Sequence, residues 1–239
     1  MRLALYDSEV GYYCRPQARV GYGAGTDFFT SSTTGPVFGE LVAAAATSLL
    51  EGQAPGAFLF FEIGAEPGRE LLASGSHPFK AARPIPLGTP IALRGPAVVF
   101  ANELFDAQPF RRFVHRQGRW HELGVACREG ALVEVTFAGH PAVDFLPPAA
   151  PEGYVVDAPL AAVDLLDQIA REPWHGVFIA CDYGKTWAEL KHYAPAGTAR
   201  AYFRHTQSND LLARPGEQDL TCHVCWDWLA EALRRQGFR

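Results

Sequence analysis

Residues 57–72 constrain the fold of this chain more than any other stretch. Five apolar residues at 57–61 follow one another without alternation, which is typical of a strand buried on both faces of a parallel sheet. The run leads into Glu62, Gly64 and Gly68, and the two glycines leave room for a ligand beside a strand-to-helix turn. Ligands of open α/β sheets lie at the carboxyl ends of the strands. The turn therefore predicts a nucleotide-like cofactor site, with a tight turn that binds nothing as the alternative.

Two further apolar runs, at residues 97–101 and 176–180, are predicted to be buried strands of the same sheet. Asn102, Glu103 and Asp106 follow the first run, and Asp182 follows the second. Polar groups directly after parallel strands lie at the carboxyl edge of the sheet, over the same cleft as the glycine turn. These residues are therefore candidate site residues. The alternative for Asn102 or Asp106 is helix N-capping.

Helix and strand patterns account for most of the remaining chain. Helices are predicted at 37–50, 160–171, 187–193 and 226–235, with a short helix at 69–74. Residues 75–96 are rich in proline and glycine and are expected to be mostly irregular. Alternating segments between 110 and 137 predict an antiparallel hairpin inserted at the end of the sheet. We expect one α/β domain over residues 1–239, with the hairpin insertion at 110–137.

Charge and composition argue against several classes of function. Hydrophobic residues make up 48% of the chain and charged residues 20%, which is ordinary for a globular protein. The formal net charge is −5 and basic residues are not clustered, so a nucleic-acid partner is not expected. No apolar run approaches the roughly 20 residues of a membrane span. No secretory signal is visible at the N-terminus.

Cysteine usage bears on compartment and on metal binding. The five cysteines are scattered and odd in number, which favours reduced thiols and a cytoplasmic protein. Cys222 and Cys225 have the spacing of a zinc ligand pair, with His223 between them. Because no second ligand pair lies nearby in the sequence, we expect no metal.

Seven short motifs occur in an order that spans nearly the whole chain. Each is weak by itself, whereas seven in sequence are specific. In this order the chain resembles the MidA-like family of S-adenosylmethionine-dependent methyltransferases. That family includes the mitochondrial complex I assembly factor regarded as a protein arginine methyltransferase. The motifs are Gly11-Tyr12-Tyr13, Asp27-Phe28-Phe29-Thr30-Ser31, Phe38-Gly39-Glu40-Leu41, Glu62-Ile63-Gly64-Ala65, Ala101-Asn102-Glu103-Leu104-Phe105-Asp106-Ala107, Asp182-Tyr183-Gly184 and Gly216-Glu217-Gln218-Asp219-Leu220-Thr221.

The resemblance implies a class I methyltransferase fold, a Rossmann-like seven-stranded sheet with helices on both faces. It also implies S-adenosylmethionine at the glycine turn and a protein substrate or assembly partner, with an arginine as the methylated residue. Glu103 and Asp106 would then be the catalytic pair, because carboxylates can orient a guanidinium bidentately. The loop at 27–32 would cover or flank the cleft. The cofactor-binding residues implied by the resemblance are Glu62, Gly64, Ala65, Gly68, Asn102, Asp27 and Thr30.

The sequence departs from the family pattern in three places. Glu66, followed by Pro67, stands where the family has a further glycine. The interval between Gly68 and Asn102 is short and holds no strand-ending acid for the cofactor's ribose, so we expect the second strand to be shortened or lost. Relative to the family, we also expect both termini to be abbreviated and the final strands to be missing. These departures favour an alternative, a catalytically inactive relative that binds or assembles other proteins. A third possibility is an α/β domain that binds another small molecule in the same cleft.

Overall fold

A computed structural model describes residues 1–15, 19–23, 25–28, 30, 35–73, 76–139, 141 and 143–239. The chain divides into two compact units. The parallel-sheet unit comprises Ala18–Leu104 and Leu166–Asp182. The antiparallel-sheet unit comprises Met1–Gln17, Phe105–Leu165 and Tyr183–Arg239.

The helices are α1 (Arg2–Tyr6), α2 (Pro36–Leu49), α3 (Leu160–Arg171), α4 (Trp187–His192) and α5 (Trp226–Arg235), with single 3₁₀ turns at Tyr12–Cys14 and Pro55–Ala57. The strands are β1 (Leu59–Ile63), β2 (Ala81–Ile85), β3 (Gly95–Asn102), β4 (Arg111–Arg116), β5 (Arg119–Arg128), β6 (Ala131–Thr136), β7 (Val155–Ala158), β8 (Trp174–Cys181), β9 (Gly184–Lys185), β10 (Arg200–Phe203), β11 (Thr206–Ser208), β12 (Asp219–Thr221) and β13 (Val224–Cys225).

The parallel-sheet unit is built on four parallel strands in the order β2-β1-β3-β8. The three strands predicted from apolar runs are confirmed as β1, β3 and β8. Phe60 pairs in register with Val98, and Val98 with Val177, so their side chains lie on one face of the sheet. The opposite face is also buried, since Ala97 and Val99 are fully inaccessible to solvent. Burial on both faces explains why β1 and β3 read as unbroken apolar runs, whereas β8 is mostly half-buried.

Helix α2 covers one face of this sheet, and its small residues explain how closely it packs. Val42, Ala46 and Leu50 belong to the same buried cluster as Phe60 and the other large side chains of that face. A side chain at Gly39 would bring a Cβ to 2.5 Å from the Leu71 carbonyl oxygen. The glycine of the Phe38-Gly39-Glu40-Leu41 motif therefore permits contact between helix and backbone.

Three expectations about this unit need correction. The second strand is not lost, because β2 runs parallel to β1 within the proline-rich interval. Pro84 is tolerated there because β2 lies at the edge of the sheet, where a missing N–H breaks no ladder bond. The helix expected at 69–74 does not form: residues 69–73 are turns and irregular backbone, and Ser74 lies outside the described residues. The parallel sheet has four strands in the described residues, not seven.

The antiparallel-sheet unit contains a sheet in the order β6-β5-β4-β7. Its two hairpin turns are Gln117-Gly118 and Glu129-Gly130, where all four residues have positive φ, as tight type I′ turns require. The core under this sheet is aromatic and includes Phe113, Trp120 and Tyr154 among its buried residues. That these strands form an insertion at 110–137, within a single domain of residues 1–239, stays a prediction.

The rest of this unit is formed by short strands and helices. Strands β11, β10 and β12 make a three-stranded antiparallel sheet, and β9 pairs with β13. The predicted helix at 226–235 is confirmed as α5, and α4 begins at a capping box formed by Thr186 and Glu189. Across the described residues, no helix has both the length and the apolar character needed to cross a membrane.

Candidate functional site

The glycine turn lies at the carboxyl end of β1, as predicted. Gly64 has φ +77° and its N–H donates to the Ile85 carbonyl at 2.9 Å. A Cβ at Gly64 would lie 2.8 Å from Cδ1 of Leu104, while a Cβ at Gly68, with φ +79°, would meet no atom within 4 Å. Both positions require glycine for their backbone conformation. Gly64 is packed against Leu104, which follows β3, whereas Gly68 has open space around its Cα.

Glu62 holds the chain that follows this turn. Its Oε2 accepts a hydrogen bond from the Leu71 N–H at 2.7 Å. Burial raises the pKa of Glu62 above its ordinary value; the Leu71 hydrogen bond opposes this shift and the charge of Glu70 adds to it. Glu70 in turn accepts from the Gly68 N–H at 3.0 Å. These side-chain bonds to the backbone compete with helical hydrogen bonds, which accounts for the absence of the helix expected here.

A small cavity of about 180 Å³ lies beside Glu62. This volume is below the 300–1,000 Å³ that is typical of small-molecule sites, so the cavity alone cannot hold a nucleoside-sized cofactor. The candidate cofactor site is therefore the glycine turn itself. The cavity is lined by Phe60, Glu62, Glu70, Leu72, Ala73, Ala82, Arg83 and Pro84.

Glu66, the residue that departs from the family pattern, faces a cation. Its Oε1 lies 3.8 Å from Nη2 of Arg19, whose side chain is 13% exposed. The Arg19 carbonyl oxygen accepts from the N–H of Asp27 at 2.8 Å. The loop that holds Asp27 is therefore connected to the turn through Arg19. The negative charge of Glu66 is partly offset by this guanidinium.

The strand ends next to the turn bring several polar groups together. Oδ1 of Asn102 is buried and has no hydrogen-bond partner among the described residues. Glu103 adopts φ +47°, an uncommon conformation for a residue with a side chain, and its N–H donates to the Cys181 carbonyl at 2.8 Å. The pKa of the Cys181 thiol is raised by burial and then by the carboxylates of Asp182 and Glu103. Both acids therefore lie near this thiol.

The remaining cofactor candidates of this unit are distributed as follows. Ala65 is buried beside Gly64, Asp27 is 6% exposed, and Thr30 is half-buried. Phe29, Ser31 and Ser32 of the predicted loop lie outside the described residues. All seven candidate cofactor residues belong to the parallel-sheet unit.

Asp106, the second predicted catalytic residue, belongs to the antiparallel-sheet unit, where it is 5% exposed. Its carbonyl oxygen accepts from the Cys222 N–H at 2.9 Å, which fixes the end of β12 beside it. Asp219, the first residue of β12, is 4% exposed, and its Oδ1 accepts from the Tyr13 hydroxyl at 2.8 Å. Tyr202 is the cross-strand partner of Asp219.

The tyrosines of this region are strongly influenced by the two acids. Burial raises the pKa of Tyr6 far above its ordinary value, and the charges of Asp219 and Asp106 add to the effect. The pKa of Tyr13 is raised well above its ordinary value, first by burial and then by Asp219. Burial and then Asp106 also raise the pKa of Tyr202. These phenols therefore stay protonated and act as hydrogen-bond donors at neutral pH.

Neither Tyr13 nor Asp219 was a predicted site residue. They are 206 residues apart in sequence, and no local pattern connects them. The available signal was indirect: each lies in one of the seven motifs, Gly11-Tyr12-Tyr13 and Gly216-Glu217-Gln218-Asp219-Leu220-Thr221. Only folding showed that these two motifs meet.

The Cys222 and Cys225 pair is buried. Burial raises the pKa of Cys225 to about 11, so this thiol is protonated at neutral pH. Over the described residues, no three His, Cys, Asp or Glu side chains gather in a way that could hold a metal ion.

Comparison with known proteins gives a family match. A family model described as "Putative S-adenosyl-L-methionine-dependent methyltransferase" matches residues 81–239. The matched part contains Asn102, Glu103, Asp106 and Asp219, while the glycine turn precedes it. A search of curated proteins finds no match.

Two solved structures from Burkholderia thailandensis are similar to this chain. One is a "likely methyl transferase" bound to S-adenosyl-homocysteine, with 26% identity, a TM-score of 0.81, and coverage of 99% of this chain and 70% of that one. The other is a native structure of an uncharacterized protein of the same superfamily, with 24% identity, a TM-score of 0.76, and coverage of 99% and 69%. The second likeness concerns the fold alone. The chain belongs to the family that the matching model describes, S-adenosyl-L-methionine-dependent methyltransferases, as the MidA-like resemblance of its motifs indicated.

Proposed function

We propose that this protein is an S-adenosylmethionine-dependent methyltransferase that methylates an arginine of a partner protein. The observation that carries the proposal is the glycine turn beside the end of β3. Ile63 is in register with Ala101, so the turn that begins at Gly64 lies next to Asn102. The turn needs glycine at Gly64 for its backbone conformation. It adjoins the buried amide oxygen of Asn102, which has no hydrogen-bond partner in the described residues. Together they suit a ligand with a hydrogen-bond donor.

The residues of this unit fit the cofactor that the family uses. The open space at Gly68 and the left-handed backbone at Gly64 let a ligand approach main-chain atoms. The Asn102 amide oxygen can accept from an amino group. In this proposal Glu62 acts by holding the segment at Leu71, and Ala65, Asp27 and Thr30 flank the ligand. The cofactor, when bound, supplies a methyl group on a sulfonium.

The chain's own contribution to transfer is positioning. A methyl group passes in line to a nucleophile, so the protein must orient the nucleophile and exclude water. In this proposal the Glu103 carboxylate, in the parallel-sheet unit, orients the guanidinium by bidentate hydrogen bonds, and Asp106, in the antiparallel-sheet unit, is a separate candidate for the same role. The positive φ of Glu103 is the kind of backbone strain that is found at functional sites.

The inactive-relative alternative receives less support. It rested on Glu66, which was expected to place bulk and negative charge where the cofactor approaches, and on the short interval before Asn102, in which the structure has β2. In the structure the Glu66 carboxylate is paired with Arg19. The family match and a neighbour of 26% identity bound to S-adenosyl-homocysteine favour the methyltransferase. We also propose that the fold has the class I methyltransferase arrangement and that the cofactor binds at the glycine turn after β1.

Calorimetric titration with S-adenosyl-homocysteine tests the cofactor part. We expect micromolar affinity for the wild-type chain and a loss of at least tenfold in Gly64→Ala. The matched control is Gly88→Ala, because Gly88 also has a positive φ (+80°), belongs to the same unit and meets no atom within 4 Å of its Cβ. Both variants carry a similar backbone strain, and Gly64→Ala adds a close contact with the Leu104 side chain, whose effect on stability is measured by thermal unfolding. The control should bind like the wild type.

Two results would count against the proposal. If the folded wild-type chain gives no binding heat at millimolar S-adenosyl-homocysteine, the protein does not bind this cofactor. Equal affinities of Gly64→Ala and Gly88→Ala, with comparable thermal unfolding, would move the site away from the turn.

A further inference from the structure

Residues 19–28, in the parallel-sheet unit, form a loop that is closed by its own backbone hydrogen bonds. The Arg19 carbonyl oxygen accepts from the N–H groups of Asp27 and Phe28 at 2.8 and 3.3 Å. The Gly21 N–H donates to the Phe28 carbonyl oxygen at 2.9 Å. We name these residues the Arg19 loop; Ala24, within it, lies outside the described residues. Because Arg19 is bonded to Asp27, the position of one sets the position of the other.

Thr26 connects the two halves of the Arg19 loop from the inside. Its hydroxyl oxygen lies 2.7 and 2.6 Å from the carbonyl oxygens of Gly21 and Gly23. The residue is buried, and a Cβ at Gly21 would lie 3.3 Å from its Cγ2. An anchor at one residue of the Arg19 loop therefore positions the whole loop.

Two arginines bring the Arg19 loop into contact with the glycine turn. Nη2 of Arg19 lies 3.8 Å from Oε1 of Glu66. Nη2 of Arg69 lies 3.8 Å from the position that a Cβ at Gly21 would take. The Arg69 N–H donates to the Glu66 carbonyl oxygen at 2.9 Å. Both contacts therefore end on the turn that begins at Gly64.

Burial gives the pair of Arg19 and Glu66 more weight than an ion pair at the surface has. The Arg19 side chain is 13% exposed and that of Glu66 is 31% exposed. Water and salt screen a partly buried pair less than an exposed one, and removal of one partner leaves the other charge partly buried. Glu66 stands where the family pattern has a glycine, which has no side chain that could hold a loop. In this chain the departure from the pattern supplies an anchor.

We infer that Arg19 is a positioning residue for the cofactor, because it holds the Arg19 loop, with Asp27, against the glycine turn through Glu66. The inference rests on the proposed function and deepens it, since it assigns a role to Arg19 and changes that of Glu66. If Glu66 only obstructed the cofactor, its neutralisation would strengthen binding. If Glu66 anchors the Arg19 loop, its neutralisation weakens binding.

A double-mutant cycle on the full chain tests the inference, with S-adenosyl-homocysteine as the probe and calorimetry as the measurement. Arg19→Gln and Glu66→Gln should each weaken binding at least fivefold. The double variant should bind no more weakly than the weaker of the two single variants, because both changes break the same contact. Arg19→Lys keeps the positive charge and should restore most of the wild-type affinity.

Two further measurements separate positioning from a general effect on charge or folding. Arg94→Gln removes a positive charge from an exposed position of the same unit, directly before β3, and should bind like the wild type. The amide hydrogens of Asp27 and Phe28 should exchange with solvent faster in Arg19→Gln than in the wild type, while exchange at Val98 in β3 stays unchanged. Thermal unfolding checks that each variant is folded.

Each contrary outcome has a distinct meaning. If S-adenosyl-homocysteine fails to bind the folded wild-type chain, the proposed function is wrong, and a cofactor role for Arg19 is refuted with it. If the wild type binds and Glu66→Gln binds as tightly or more tightly, Glu66 is not an anchor and the inference alone is refuted. Additive losses in the double variant, or unchanged amide exchange at Asp27 in Arg19→Gln, would refute it as well.

Discussion

Replacement of Gly197 by alanine should destabilise the antiparallel-sheet unit far more than an ordinary glycine substitution. Gly197 has φ +70°, and a Cβ there would overlap Oδ2 of Asp157. That oxygen accepts from the N–H groups of Thr198 and Ala199 at 2.7 and 2.8 Å. Asp157 is 2% exposed. The added methyl group must therefore displace a buried carboxylate from its two donors.

The magnitude follows from two contributions. The left-handed backbone costs a residue with a Cβ roughly 1–2 kcal/mol. A hydrogen bond to a charged group contributes roughly 1.5–3 kcal/mol, and at least one of the two bonds to Asp157 must be lost. We therefore expect a loss of about 3 kcal/mol or more. For a chain of this size that corresponds to roughly 10 °C in Tm.

Gly118→Ala is the matched control. Gly118 belongs to the same unit, has φ +72°, and a Cβ there meets no atom within 4 Å. This variant should lose only the backbone contribution, about 1–2 kcal/mol, or roughly 4 °C in Tm. Urea and thermal unfolding of both variants measure the difference. If Gly197→Ala is no less stable than Gly118→Ala, the overlap with Asp157 does not decide the effect and the reasoning is refuted.

Two further predictions concern ionisation. Because burial raises the folded-state pKa of Glu62 above the unfolded value of 4.5, the ionised side chain lowers stability as pH rises above that value. Glu62→Gln keeps an acceptor for the Leu71 N–H, so this variant should have a higher Tm than the wild type at pH 7. The difference in Tm should shrink toward pH 4, where the wild-type carboxyl is protonated. A difference in Tm that grows toward pH 4 would contradict this. At pH 8, iodoacetamide should modify the exposed Cys14 much faster than the buried Cys225. The Cys225 pKa of about 11 leaves only about one thiol in a thousand ionised at this pH. Mass spectrometry measures the two rates, and equal rates would contradict this prediction.

The apolar pattern predicted the central strands well and the segment between them poorly. Strands β1 and β3 are buried on both faces, so their sequences carry uninterrupted apolar runs. Strand β8 is mostly half-buried, but residues 177–180 are still an apolar run. Strand β2 is an edge strand whose two exposed residues are Arg83 and Pro84, so it lacks that signal. The expected helix at 69–74 was replaced by turns because the carboxylates of Glu62 and Glu70 bind nearby N–H groups. Side-chain hydrogen bonds of this kind do not appear in hydrophobic periodicity.

The site residues were likewise predictable from the sequence only in part: local patterns indicated candidates but not the residues that they contact. The strand-end rule placed Asn102, Glu103 and Asp106 as candidates, but it could not assign partners to them. The rule also treated Glu66 only as an obstacle, because the residue that pairs with it lies far earlier in the chain, at Arg19. Charge pairing between distant segments depends on the folded path of the backbone.

By itself, the sequence determined the strand runs, the glycine turn after β1 and the seven motifs that identify the family. These are local properties, since they depend on the identity and spacing of neighbouring residues. Only the tertiary structure decided that Tyr13 donates to Asp219, that Asp106 lies at the end of β12, and that Glu66 faces Arg19. These contacts join residues far apart in the chain. They arise from backbone packing, which local sequence patterns do not specify.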